Sequence, residues 1–295
     1  MSEIGLGATL LQFLASGLVI GMIYGLAAIA YTTIFNVTGV INFAQGDMAT
    51  IPALTAITLY DRGWGQGPAL LGAMALGGAI AAGIERVVVA PLAGSVIRTT
   101  VATIGVGIVL QGTAVLVFGT EARTLPSPLG GGTVALLGIA LPLQAGVIFG
   151  ATVVLVFLLG ALFQMTYLGR AFRACAMNPY AAGLSGIDVG AMRTLAFVLS
   201  GFVAAVIGVL VAPLTLMQYD TGIAIGIKGF VACIIGGLGN PLGAIAGGLL
   251  LGVLESYATW IVGSGYKSAI SLSLLIGFLL LRPGGLLGAL ERLPR

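Results

Sequence analysis

At 295 residues, 59% hydrophobic and 7% charged, with a mean hydropathy of +1.15 and a formal net charge of +3, the chain lies far from the composition of a globular domain. Apolar runs of about twenty residues recur along it, which marks a polytopic helical membrane protein. They lack the alternation of a transmembrane β-barrel, and so small a net charge bears on membrane orientation rather than on nucleic acid. The expected fold is an all-α polytopic transmembrane bundle of about eight or nine membrane segments, some broken or re-entrant, in one transmembrane domain over residues 1–295. Histidine is absent, and Cys175 and Cys233 have no metal or redox spacing, so no metal site is expected.

The N-terminus, MSEIGLG, carries Glu3 and no basic region, unlike a cleaved signal peptide, so the first apolar run is expected to stay in the mature protein. That run covers residues 10–34. Gly17, Gly21 and Gly25 fall on one face, a spacing that lets another helix approach closely. Residues 36–47, NVTGVINFAQGD, then interrupt the apolar flow with Asn42, Gln45 and Asp47, and a short run over 48–60 follows with Pro52 near its start. Unwound backbone at membrane depth is tolerated only inside protein or along a cavity. The interruption is therefore either a broken helix at a substrate path or a plain interfacial turn, and the turn is the simpler reading. Past a tight loop with the interfacial Trp64, spans are expected over 68–89 and 101–118. Glu85-Arg86 sits near the end of the first, facing headgroups or each other. An exposed loop rich in Gly and Pro covers 119–141, and a further span covers 142–163.

Residues 165–193, MTYLGRAFRACAMNPYAAGLSGIDVGAMR, form the longest polar-leaning interval and carry Arg170, Arg173 and Arg193. Residues 169–177 are expected to continue the preceding helix. Asn178 then caps a new one, with Pro179 at its first position. That helix ends near Leu184, before Ser185-Gly186, and Asp188 caps the next. The product is a short exposed helix with small Ala181, Ala182 and Gly183 beside Tyr180 and Leu184. It is either an ordinary connector or a docking knob for a soluble partner.

The next span covers 194–214 and ends before the polar turn at Gln218 to Gly222. The apolar run 223–235 contains Lys228 and closes in Gly236, Gly237 and Gly239, after which Asn240-Pro241 suits a helix start. A run over 242–262 carries Gly243/Gly247, Gly248/Gly252 and Glu255, and the last run, 268–281, closes in RPGG. Charges within a bilayer are functional candidates by default. For Lys228 and Glu255, a structural ion pair is the more economical reading than substrate contact.

Orientation follows from the basic residues. With 165–193 inside and nine crossings, Arg86, Arg98, Arg170, Arg173, Arg193, Arg282, Arg292 and Arg295 lie inside, and Arg62, Arg123 and Lys267 outside. This bias places the N-terminus outside and the C-terminus inside. Catalytic motifs are missing. There is no G-x-S-x-G and no P-loop, and Tyr219-Asp220 has no partner GxGD. No catalytic residue is expected.

The block GRAFRACAMNPYAAGLSGIDVGAMRTLAFVLSGFVAAVIGVL (169–210) resembles the cytoplasmic coupling loop and following helix of bacterial ABC importer permeases. GVINFAQGDM (39–48), GIKGFVACIIGGLGNPLGAIAGGLLLGVLESY (226–257) and LLLRPGGLLG (279–288) resemble the high-affinity branched-chain amino-acid permease family, in its shorter permease subunit. The resemblance covers nearly the whole chain. It implies a multi-pass protein of the bacterial inner membrane with four kinds of company: a second permease in a heterodimer, two cytoplasmic ATPases, a periplasmic binding protein, and lipid. ATP and magnesium would belong to the ATPases, with no cofactor in this chain. The resemblance makes 165–193 the cytoplasmic coupling segment. Gly169, Arg170, Ala174, Asn178, Ala181 and Gly186 stand at motif-like positions, beside Arg173, Pro179, Tyr180 and Leu184. The usual acidic residue of the wider motif is replaced at Asn178, which implies docking by shape and backbone more than by charge. The translocation-path candidates are Asn42, Gln45, Asp47, Lys228, Gly236, Gly237, Asn240 and Glu255. Urea and short-amide permeases look nearly the same at this level. An ion-coupled secondary transporter or channel would need coupling carboxylates or a charged pore ring, and no ATPase.

Overall fold

The computed structural model describes residues 6–136, 139–282 and 284–287. Glu3, Arg292 and Arg295, used in the readings of the two termini, lie outside the described residues. In chain order the helices are α1 (Leu6–Thr38), α2 (Asp47–Asp61), α3 (Gln66–Ile84), α4 (Val96–Phe118), α5 (Leu143–Met165), α6 (Tyr167–Met177), α7 (Pro179–Leu184), α8 (Val189–Val211), α9 (Thr221–Gly236), α10 (Pro241–Val262) and α11 (Lys267–Leu281). A small antiparallel hairpin, β1 (Thr133–Leu136) and β2 (Ile139–Pro142), lies in the loop between α4 and α5. Among the described residues, seven helical stretches are long and apolar enough to cross a membrane, the last running from Ser264 to Leu281. The fold is the all-α polytopic bundle that the composition requires.

The chain divides into two compact units. One comprises residues 1–29, 126–152 and 227–295, the other 30–125 and 153–226. In the first, α1 and α10 meet along glycine. A Cβ added at Gly17 would lie 2.8 Å from the Val253 Cα, and one at Gly21 would lie 2.8 Å from the Leu249 Cα. Gly248 and Gly252 close the contact from the other side, against the backbone of Gly25 and Gly21. With no hydrophobic drive between helices in lipid, such backbone proximity supplies the packing energy. Ser256 Oγ and Tyr257 OH add bonds of 2.7 and 3.0 Å to the carbonyls of Phe13 and Leu10. Gln12 pins β2, its amide exchanging two 2.9 Å bonds with the Ala140 backbone.

In the second unit, α2, α3 and α8 pack as a triplet. A Cβ at Gly77 would lie 2.7 Å from the Gly201 carbonyl, and Gly208 lies against the Ala49 backbone. The core around them holds Ile34, Met48, Phe197 and Ala204, with Ala56, Ala69 and Ala73 beyond.

Several details differ from the sequence reading, the following for local reasons. α4 begins earlier, at Val96, because the Ser95 hydroxyl caps it. α3 stops at Ile84 and passes into a π-helical turn over Glu85–Val89. The loop 119–141 is exposed as expected but contains the hairpin. Residues 169–177 do not continue the preceding helix. Thr166 takes an extended conformation and its hydroxyl caps α6 through the Gly169 N–H, 3.1 Å away.

Candidate functional site

The coupling candidate is built from short-range signals. Asn178 Oδ1 accepts from the Ala181 N–H at 3.0 Å and Pro179 occupies the first helical position, so α7 starts where both residues dictate. It stops at Leu184 because Gly186 takes φ +84, a left-handed conformation that glycine adopts without cost. Asp188 caps α8 through the Ala191 N–H at 2.9 Å. One face of α7 is anchored. Ala182 is buried in a cluster with Val37, Phe172, Cys175 and Ala196. The other face is bare: Tyr180 is 76% exposed and Leu184 75%, with Ala181 and Gly183 exposed between them.

The surrounding residues position this helix. Gly169 is buried at the α5–α6 corner, where a Cβ would meet the Leu162 and Phe163 carbonyls. Arg173 donates to the Phe163 carbonyl, which ties α6 to the end of α5. Arg170 stacks 4.1 Å above the Tyr167 ring. Ala174 is half-buried, and its carbonyl accepts the Asn178 N–H at 3.0 Å. Burial pushes the Cys175 thiol above its usual pKa.

Asn42, Gln45 and Asp47 are all buried, at 1%, 3% and 5% exposure. That corrects the reading of 36–47 as a plain interfacial turn. Ser200 Oγ lies 3.0 Å from the Ala30 carbonyl and 2.8 Å from Gln45 Oε1, so Gln45 is level with Ala30. The chain therefore descends from Ala30 to Thr38, turns at Gly39 with φ +65, and climbs back in extended backbone to Asn42 and through a 3-10 turn to Gln45. Asn42 Oδ1 caps the short 3-10 turn Phe43–Gln45. The Thr103 hydroxyl accepts the Phe43 N–H at 3.1 Å, and Gln111 Nε2 donates to Asp47 Oδ1 at 3.1 Å. Burial of a polar group is costly unless such a partner satisfies it.

α2 begins at this depth, and so does α9. Gly46 and Gly222 touch backbone to backbone, and Tyr31 OH donates to the Gly226 carbonyl at 3.1 Å. The two helices have 15 and 16 residues, so each rises only about 22–24 Å of a roughly 30 Å hydrocarbon layer. Neither is long enough to cross by itself.

Lys228 and Glu255 form an ion pair of 2.6 Å, with side chains 13% and 4% exposed. Ser271 Oγ donates to the second carboxylate oxygen at 3.3 Å, and the ammonium lies 5.4 Å from the centre of the Tyr24 ring. A cavity of about 180 Å³ lies alongside, lined among others by Gln12, Ser16, Glu255 and Lys267. In the Gly236–Asn240 turn, Gly236 and Gly237 are buried instead. Gly236 abuts Gly243, and Gly237 takes φ +105 beneath Gly285. Asn240 caps α10 and donates to the Leu287 carbonyl at 2.8 Å.

Sequence reasoning paired Glu85 with headgroups or with Arg86. The structure gives it Arg193 at 2.6 Å and Thr194 Oγ1 at 2.6 Å. Gln111 and Ser200 were also missed. Both are polar residues in apolar spans, which was the available signal.

Seven apolar helical stretches among the described residues, with paired buried charges and an exposed capped helix, mark a multi-pass membrane protein. Residues 13–281 match the family model described as branched-chain amino acid transport system / permease component. The high-affinity branched-chain amino acid transport system permease protein BraD of Pseudomonas aeruginosa is 35% identical over 95% of this chain and 96% of its own length. The LivH permease protein of Escherichia coli K12 is 32% identical over the same shares. A probable LivH of Methanocaldococcus jannaschii is 32% identical over 89% of this chain and 88% of that protein. The chain belongs to the branched-chain amino acid permease family. Among solved structures, PsaBC from Streptococcus pneumoniae in complex with Fab aligns with a TM-score of 0.50 over 92% of each chain at 17% identity, a likeness of fold alone.

Proposed function

We propose that the protein is the membrane-spanning permease subunit of a bacterial ABC importer for branched-chain or other hydrophobic amino acids. It works with a second permease in a heterodimer, a periplasmic binding protein that delivers substrate, and two cytoplasmic ATPases that hold ATP and magnesium. The chain is not itself an enzyme. Family membership and the names of its relatives support this reading. The structural observation that carries it is α7, a six-residue helix anchored on one face and bare on the other. So short a helix is unstable alone, and its exposed Tyr180 and Leu184 around small residues suit a groove on an ATPase. The same proposal places 165–193 in the cytoplasm, the N-terminus in the periplasm and the C-terminus in the cytoplasm, in agreement with the basic-residue bias.

In this reading Asn42, Gln45 and Asp47 border the path where α2 and α9 begin, and the path candidates Lys228 and Glu255 neutralise each other as a pair. ATP binding would draw the ATPases together, move α7 and reopen the path on the other side of the membrane. The test is reconstitution of the full importer in liposomes. Binding protein loaded with leucine, isoleucine or valine should stimulate ATP hydrolysis together with uptake. Stimulation by urea or a short amide instead would replace the substrate class. Uptake driven by an ion gradient without ATP would overturn the importer reading.

A further inference from the structure

We propose that Glu85 is a positioning residue that links the docking segment to the helices around the broken crossing, so that loss of its bonds to Arg193 and Thr194 uncouples ATP hydrolysis from transport. The inference rests on α7 docking an ATPase. Glu85 opens the π-helical turn at the end of α3, and it is 1% exposed. Its carboxylate takes two short charge-assisted bonds from neighbouring residues on α8, one oxygen from Arg193 Nε and the other from Thr194 Oγ1, each at 2.6 Å. Arg193 and Thr194 lie in the second turn of α8, whose cap Asp188 follows α7 by four residues. Ala182 of α7 and Ala196 of α8 share one buried cluster, so the foot of α8 and the docking helix move together.

The other end of the linkage is equally direct. A Cβ at Gly77 of α3 would lie 3.3 Å from Pro52 of α2, and one at Gly72 would lie 2.9 Å from the Leu59 side chain. α3 thus grips α2, whose first residue is the buried Asp47. Glu85 joins the foot of α8 to the end of α3, and farther along both helices pack against α2, so the ion pair fixes how the foot of α8 sits in this triplet. The π-turn supplies the give. Such turns carry an extra residue relative to an α-helical turn and are common at functional sites. A buried carboxylate bonded to two residues of another helix is more than a snorkelling charge needs. Arg86, its neighbour, is exposed.

The experiment uses the complete importer in proteoliposomes with substrate-loaded binding protein, and measures basal ATP hydrolysis, stimulated hydrolysis and uptake per ATP. Glu85→Gln keeps the shape and removes the charge. Arg193→Lys keeps the charge and loses the guanidinium geometry. Thr194→Val removes one of the two bonds. Each should retain ATPase co-purification and basal hydrolysis while uptake per ATP falls roughly five- to hundredfold, Thr194→Val least. The double variant Glu85→Gln with Arg193→Met should be no worse than Glu85→Gln alone, as for residues acting as one unit. Unchanged uptake per ATP in Glu85→Gln and Arg193→Lys overturns the proposal, and so does loss of assembly in all three single variants, which would make the cluster purely structural. Failure of the docking reading looks different: the wild-type ATPases would then stay bound when α7 is altered.

Discussion

The Lys228–Glu255 pair allows the sharpest stability prediction. Glu255→Gln leaves the Lys228 ammonium in a site where its side chain is only 13% exposed, with Tyr24 on one side and no carboxylate on the other. Breaking a buried pair by removing one partner costs roughly 3–5 kcal/mol, because the remaining charge keeps its desolvation penalty without its counter-charge. At about 2–4 °C per kcal/mol for long chains, Tm should fall by roughly 6–20 °C. Lys228→Met should cost a similar amount, since it leaves the buried carboxylate without its counter-charge. Replacing both, with Lys228→Met and Glu255→Leu, should recover most of the loss, because an apolar pair of similar volume is often neutral. The assay is thermal unfolding of the detergent-solubilised protein across all four members of the cycle. Single variants that melt with the wild type would refute the reasoning.

Two further outcomes follow from packing and from the surface. Gly21→Leu and Gly248→Leu should prevent recovery of folded protein, since backbone of the facing helix occupies the added volume and overpacking alone costs about 1–3 kcal/mol; Gly146→Leu and Gly150→Leu on α5, where a Cβ meets nothing within 4 Å, should leave expression and Tm near wild type. Cysteines placed at Gly130 and Ser185, both exposed, should react with a membrane-impermeant maleimide from opposite sides in a background lacking Cys175 and Cys233; labelling of both from outside would refute the proposed topology.

Much of the fold was legible because its signals are local. Asn178-Pro179, Asp188 and Asn240-Pro241 carry their own capping chemistry and set the starts of α7, α8 and α10. Gly17, Gly21 and Gly25 announced a close helix contact by their spacing, though not that Gly248 and Gly252 would answer it. The broken crossing was harder. Asn42, Gln45 and Asp47 read as a surface turn until their distant partners Thr103, Gln111 and Ser200 come into view, and a single sequence does not reveal that pairing. Glu85 was misassigned for the same reason: its partner is 108 residues away, while Arg86 stands next to it. The break at Thr166 gave no strong signal either, because a threonine cap lacks the proline that marked the α7 start.

The central claim is that α7 docks an ATPase, and Ala181→Glu tests it most directly. Ala181 is exposed on α7, between Tyr180 and the anchored Ala182. A bulky charge there should spoil close approach without disturbing the capped helix or membrane insertion. The measurement is co-purification of the ATPases with the permease pair, read together with substrate-stimulated ATP hydrolysis in liposomes. The account predicts a normally inserted permease that no longer retains its ATPases, or that retains them with uptake lost. Full ATPase retention with wild-type uptake in Ala181→Glu would contradict it and reduce α7 to a connector between spans.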